Sequence, residues 1–164
     1  MSRTEGAGAP AFPSEFSSRL GDVAVRSAVA GDFDELERLL AFLVGPPDRP
    51  AVGRRAFLRI LADRRRMVLV AKRDGRLVGT LDLIVVDNVT HGGAPWVGVE
   101  NVVVDPDERR RGVARALMVS ARGLAEGAGC YKMQLLSGAH RADAHGLYEA
   151  MGFDAPVRGF RRYL

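Results

Sequence analysis

VVVDPDERRRGVARAL, residues 102–117, reads as a strand, a turn and the start of a helix. The β-branched Val102, Val103 and Val104 favour extended backbone, and Asp105-Pro106-Asp107 is turn chemistry that stops it. Val113, Leu117, Ala121 and Leu124 then return at helical spacing, so a helix starts near Gly112. The first turn of a helix leaves about four backbone N–H groups without intrahelical partners, and the aligned peptide dipoles add roughly half a positive charge there. Gly112 and Ala114 carry little bulk, so a ligand can approach the backbone. Arg109, Arg110 and Arg111 supply further cationic donors. A crossing of this kind suits a diphosphate.

Arg109-x-x-Gly112-x-Ala114 resembles the Q/R-x-x-G-x-G/A signature of the GNAT superfamily of N-acetyltransferases. Downstream, Ala144-x-x-Leu147-Tyr148-Glu149-x-x-Gly152-Phe153 is similar to that family's closing helix. The two motifs stand in the family's order with a strand, Tyr131 to Leu136, between them, and the resemblance covers Val23 to Leu164. It implies an α/β (α+β) fold: a mixed, mostly antiparallel twisted sheet of six to seven strands with a central, splayed parallel pair, flanked by about four helices. It also implies acetyl-CoA as co-substrate. The pyrophosphate would lie on Arg109, Arg110, Arg111, Gly112, Val113, Ala114 and Arg115. The pantetheine arm would pair with the backbone of Val102, Val103 and Val104 like an added strand.

Acetyl transfer to an amine needs a placed thioester, a neutral amine and a proton for the departing thiolate. The resemblance nominates Tyr148 as the general acid. A phenol with pKa near 10 stays protonated at neutral pH and can donate to a thiolate whose parent thiol sits around 8.5. The alternative is an aromatic packed under the cofactor with its hydroxyl merely hydrogen-bonded. Glu100 is the candidate base or substrate anchor. Strand alternation puts Gly98, Glu100, Val102 and Val104 on one face, opposite Asn101 and Val103. A carboxylate buried in so apolar a strand needs a compensating partner, which an acceptor ammonium would provide. An arginine from the two-helix region would serve as well.

Bulk properties agree without deciding more. The 164 residues suit one domain, with Met1 to about Arg19 a Gly-, Ala-, Pro- and Ser-rich disordered tail and residues 20–164 the folded unit. No apolar run is long enough to span a bilayer, no signal peptide opens the chain, and the lone Cys130 excludes an internal disulfide. A cytoplasmic location is the expectation. The net charge of +4 suits an anionic cofactor.

Periodicity supplies the remaining elements. Val23 to Ala28 alternates as a first strand. A helix follows from Asp32, with Glu35 as its capping-box partner, and Ala51 to Arg65 forms a second. Asp74-Gly75 marks a hairpin between Met67–Ala71 and Leu77–Val86. Trp96 to Val104 is antiparallel to its predecessor, and the Tyr131 strand, reached through a helical crossover, is parallel to it. Asp143 to Met151 closes the helices, and Val157 to Leu164 forms a last strand.

Other residues carry plainer readings. Cys130 is a small buried hydrophobe. His140, His145 and Cys130 have no ligand-set spacing, so no metal is expected. Arg141 stands where many relatives carry Asn, and Asp82 is divided between the acceptor cleft and the opposite strand face. Arg64 to Arg66 caps a helix. Neither a P-loop nor a dinucleotide fingerprint is present. A basic nucleic-acid module would account for the arginine triplets but for neither motif, and an acetyl-CoA sensor without catalysis would account for both. No nucleic-acid or membrane partner is therefore expected. The acceptor pocket should come from residues 39–61, 88–95 and 137–143. Glu100 and Asp82 suit a cationic small-molecule amine, amino acid derivative or aminoglycoside ahead of a peptide. Glu100-Asn101 and Cys130-Tyr131-Lys132 are also similar to glucosamine-6-phosphate acetyltransferases, although no dedicated sugar-phosphate clamp is apparent. Dimerisation through the last strands is common in the family, so a homodimer stays open.

Overall fold

A computed structural model describes residues 10–164. Its elements run β1 (Ser17–Leu20), β2 (Val23–Ser27), α1 (Phe33–Val44), α2 (Pro50–Ala62), β3 (Arg66–Arg73), β4 (Arg76–Val86), β5 (Trp96–Val104), α3 (Val113–Gly127), β6 (Met133–Leu135) and α4 (Ala142–Ala150). The strands lie in the sheet in sequence order. Each neighbouring pair is antiparallel except β5–β6, which the α3 crossover makes parallel. The β3–β4 hairpin turns through Asp74 (φ 50°) and Gly75 (φ 81°), the left-handed pair that a two-residue hairpin requires.

Helices cover both faces of the sheet. Along β3, Met67, Leu69 and Ala71 join the core under α3, while Val68 and Val70 join Phe33, Leu36, Leu39 and Phe57 under α1 and α2. That alternation is the strand period of two. In β5 it breaks. Val97, Val99 and Val102 face α3, whereas Val103 faces α1. The register shows why: Thr80 pairs with Val103 but Asp82 pairs with Glu100, so β5 carries one extra residue. Asn101, at φ 55°, absorbs the bulge. The expected single face of Gly98, Glu100, Val102 and Val104 is therefore divided at the bulge, which leaves both Glu100 and Asn101 exposed.

Gly79 on β4 sets how closely α3 approaches. A Cβ there would stand 2.8 Å from Val113 Cγ1 and 3.1 Å from the Val103 carbonyl oxygen. Any side chain would push the start of α3 off the sheet.

Four expectations are corrected. The Asp32–Glu35 capping box does not form. Asp32 accepts from both Arg26 guanidinium nitrogens at 2.7 Å, and Glu35 instead accepts the Leu77 N–H at 2.9 Å, tying α1 to β4. The second helix ends at Ala62, so Arg64–Arg66 is no helix cap. Arg65 pairs with Asp87 at 2.8 Å, and Arg66 opens β3. Order also begins upstream of Arg19: Phe12 is 1% exposed within the core and β1 pairs with β2, whereas residues 1–9 of the expected tail lie outside the described residues. Finally, Val157–Leu164 forms no strand. Val157, Phe160 and Tyr163 are 81%, 89% and 83% exposed. They recur every three residues, a spacing that puts no two successive ones on the same face of a strand. The sheet thus has six strands in the described residues, and its parallel pair lies at the edge.

Candidate active site

The crossing from β5 to α3 is braced at its base. Asp105 ends the strand nearly buried; its side chain accepts the Asp107 N–H at 3.2 Å and pairs with Arg38 of α1 at 2.7 Å. Burial opposes the Asp105 charge, but the Arg38 hydrogen bond and the Asp107 amide together hold its carboxyl below the usual carboxylate range. A second arginine, Arg73 of β3, is buried at the other side of the loop. It pairs with Glu108, reaches Asp22 at 2.8 Å and donates to the Arg111 carbonyl at 2.8 Å. Arg110 (φ 57°) and Gly112 (φ 83°) both take left-handed backbone on this platform. Ala116 N–H bonds the Gly112 carbonyl at 2.9 Å, so the amides of Val113, Ala114 and Arg115 precede the helical ladder. Arg109, Arg110, Arg111 and Arg115 are exposed around them, and Arg111 also touches Glu108 at 3.0 Å. Alternating backbone handedness before a helix start is the kind of geometry from which anion-binding concavities, here called the cradle, are built.

Beside that cradle the sheet opens. The β5–β6 ladder has three rungs, Val97–Met133, Gly98–Gln134 and Val99–Leu135, and then β6 ends while β5 continues to Val104. Among the described residues, the sheet edge from Glu100 to Val104 therefore has no partner strand on that side, which is what a pantetheine arm would require. Arg141, at the head of α4, reaches across the opening and donates to the Val102 carbonyl at 3.4 Å. Tyr148 comes off α4 into the same region, 7% exposed, with Phe153 edge-on at 6.0 Å. Burial pushes its hydroxyl above the ordinary phenol value, with the Arg141 charge acting in the opposite direction. It therefore remains protonated at neutral pH.

On the other face, α1, α2 and the loop between them enclose a cleft of about 440 Å³ against β3, β4 and β5. Phe33, Leu36, Phe57 and Val68 form its apolar wall, and Asp82 and Asn101 its polar floor. The Asn101 amide donates to Asp82 at 2.9 Å. Burial, partly offset by that amide and by the Arg66 charge, raises the Asp82 carboxyl, and Glu100 across the ladder adds to the effect. Asp82, evenly divided on sequence, thus faces the cleft, while Glu100, opposite it in the ladder, stands exposed.

The remaining candidates stay outside this geometry or serve it structurally. Half-buried Cys130 has a thiol that burial raises, so it is no activated nucleophile. His140 is exposed, whereas half-buried His145 bonds the Gly138 carbonyl at 3.0 Å and steadies the loop into α4. Arg38 and Arg73 went unrecognised in the sequence. Each is one arginine among many, and its carboxylate lies 67 residues away for Arg38–Asp105 and 35 for Arg73–Glu108.

Similarity to known proteins agrees with this geometry. Residues 33–153 match the family model described as the acetyltransferase (GNAT) family. The chain is 32% identical over 146 residues to glucosamine 6-phosphate N-acetyltransferase of Trypanosoma brucei brucei, spanning 85% of this chain and 95% of that one. Among solved structures, an acetyltransferase of Trypanosoma brucei superposes with a TM-score of 0.77 at 28% identity, covering 87% of this chain and 100% of the other. The structure of AAC(6')-Iy in complex with a CoA-S-monomethyl-acetylneamine bisubstrate analog does so with a TM-score of 0.74 at 22% identity, covering 87% and 97%, a likeness of fold. The matched residues contain the cradle, the opened sheet edge, the cleft and Tyr148, and the chain accordingly belongs to the GNAT family of acetyltransferases.

Proposed function

We propose that the protein transfers an acetyl group from acetyl-CoA to a primary amine of a small molecule by direct attack within a ternary complex. The observation that carries this reading is the coincidence of three features around one opening: the anion cradle at Arg109–Arg115, the unpartnered edge of β5, and the buried, protonated Tyr148. The diphosphate of the donor would rest on the amides of Gly112–Arg115, ringed by Arg109, Arg110 and Arg111. Its pantetheine arm would bond the backbone of Val102, Val103 and Val104, displacing Arg141 from the Val102 carbonyl. The thioester then lies where β5 and β6 part. As the amine attacks the carbonyl carbon and the C–S bond breaks, Tyr148 donates its proton to the departing thiolate. Glu100, exposed at the bulge, is a candidate for anchoring the acceptor's charge or taking its proton, one strand from Asp82.

The reading favours a small amine because the cleft is compact and walled by two helices. Glucosamine 6-phosphate, the substrate named for the Trypanosoma relative, is the first acceptor to try. An aminoglycoside is the second, since the bisubstrate analog in the neighbouring complex carries acetylneamine. The test is an assay of CoA release over a panel of amines, with calorimetry of acetyl-CoA in parallel. Micromolar acetyl-CoA binding with amine-dependent CoA release supports the transferase. Binding without release for any amine would leave a sensor, and no binding would remove the donor altogether.

A further inference from the structure

We propose that Asp82 receives the acceptor's ammonium group on the floor of the α1–α2 cleft and accepts its proton, directly or through one water, with Asn101 as the residue that positions it. This inference rests on the acetyl-transfer reading above.

The location argues first. Asp82 stands opposite Glu100 in the β4–β5 ladder, and Glu100 is the residue just past the last β5–β6 rung at Val99–Leu135. Neighbouring strands lie about 4.8 Å apart, so the carboxyl is one strand from the point where the thioester would emerge. Val103 and Val68 show which way the site opens, since both belong to the core under α1 and α2, on the cleft side of the sheet.

The support beneath the carboxyl argues second. Asn101 occupies the left-handed position of the bulge, a conformation asparagine tolerates better than most residues. From there its amide donates to one Asp82 oxygen at 2.9 Å. No second side-chain donor to Asp82 is present among the described residues, so its other oxygen is left for a ligand on the cleft side. The bulge thus replaces an apolar strand position by an amide that aims a carboxylate.

Charge argues third. Arg66 of β3 acts on Asp82 from one side and Glu100 of β5 from the other, while Glu37 of α1 and Asp48 of the following loop line the same cleft. No lysine or arginine is among the described residues lining it. The charged residues lining the cleft, Glu37, Asp48 and Asp82, are all acids, so an entering cation is attracted although Arg66 offsets part of the field at Asp82, and the largely desolvated Asp82 gains the most from it. Burial leaves Asp82 a stronger base than an ordinary surface carboxylate. The step balances. One ammonium N–H bond breaks and its proton passes to the Asp82 carboxylate, which later releases it to solvent; the nitrogen lone pair forms the C–N bond; the C–S pair leaves on sulfur and takes the Tyr148 proton; the acylated nitrogen then loses its second proton, which returns to the Tyr148 phenolate directly or through water. The acceptor class follows: a primary amine, cationic at neutral pH, whose body next to the amine is apolar enough for Phe33 and Phe57 and carries no anionic group inside the cleft.

The experiment uses the full chain, with spermidine, an aminoglycoside and glucosamine 6-phosphate as acceptors at saturating acetyl-CoA. Asp82→Asn is expected to lower kcat/KM for the preferred amine about 100-fold or more at pH 7.5 and to abolish the acid limb of its pH profile. Acetyl-CoA affinity by calorimetry should be unchanged. Asn101→Gly keeps the backbone conformation but removes the amide that offsets part of the rise at Asp82, so its acid limb should move to higher pH. Turnover by Asp82→Asn within threefold of wild type, or an acid limb that disappears in Glu100→Gln and stays put in Asn101→Gly, would overturn the assignment while leaving the transferase intact. If wild type turns over none of the amines, the transferase reading falls and the role of Asp82 with it.

Discussion

The cradle before α3 and the cleft under α1 and α2 are built in opposite ways. The crossing is one continuous run, residues 102–115, whose proposed ligand contacts are backbone groups and whose signature is a spacing of arginine, glycine and alanine. The cleft is gathered from α1, the loop after it, α2 and three strands, and its chemistry lies in side chains brought together across the sheet. A site made of amides tolerates variation in the side chains above it. A site made of side chains changes with every substitution, which suits the part of an enzyme that selects its acceptor.

Each side of that contrast can be broken separately. The largest effect expected is for Tyr148→Phe, which should lower kcat by about 10²–10⁴-fold with acetyl-CoA affinity retained. Single-turnover measurement checks it, and an unaltered rate would remove Tyr148 from the chemistry. Next comes the brace under the cradle. Arg38→Ala strands the nearly buried Asp105 carboxylate and should cost about 1–3 kcal/mol of stability by denaturant titration. Asp105 has a folded pKa below its unfolded value of 3.8, so the pair's contribution is complete above that pH. It is lost as pH falls through the folded value, and in Arg38→Ala that acid-side loss should shrink.

Gly79→Val tests whether the cradle depends on the closeness of α3. It should destabilise by about 1–3 kcal/mol through overpacking against Val113 and weaken acetyl-CoA binding at the same time. A loss of stability with binding intact would separate the two. For the cleft, Asp82→Asn should raise the Tm at pH 7 slightly while it damages activity. The folded pKa of Asp82 lies above its unfolded one, so its share of stability is present below pH 3.8 and lost as pH rises through the folded value; the neutral amide avoids that loss. The smallest effect expected is for Arg109→Ala, about two- to fivefold in acetyl-CoA affinity, since an exposed charge is worth roughly 0.2–1 kcal/mol and is screened by salt. Repeating the titration in high salt should reduce even that difference.

The uneven success of sequence reading has the same origin. The β3–β4 hairpin, the helix at Val113, the parallel crossing to β6 and the α4 helix with Tyr148 all follow from signals a few residues long. The face assignment of Glu100 failed because one extra residue in β5 reverses the alternation, and nothing local in Gly98-Val99-Glu100-Asn101-Val102 announces a bulge. The strand expected at Val157–Leu164 failed for a related reason: apolar content was visible, but a strand also needs an edge to pair with and a spacing of two.

By itself the sequence determined where the strand ends and the exposed start of α3 falls, because turn chemistry, glycine conformation and helical spacing are local properties. Only the tertiary structure decided that Arg38 and Arg73 brace that start, that Asn101 turns the strand, and that Asp82 faces the helices. Those are pairings between segments tens of residues apart, and the energy that selects them exists only once the sheet has assembled and water has been driven from both of its faces.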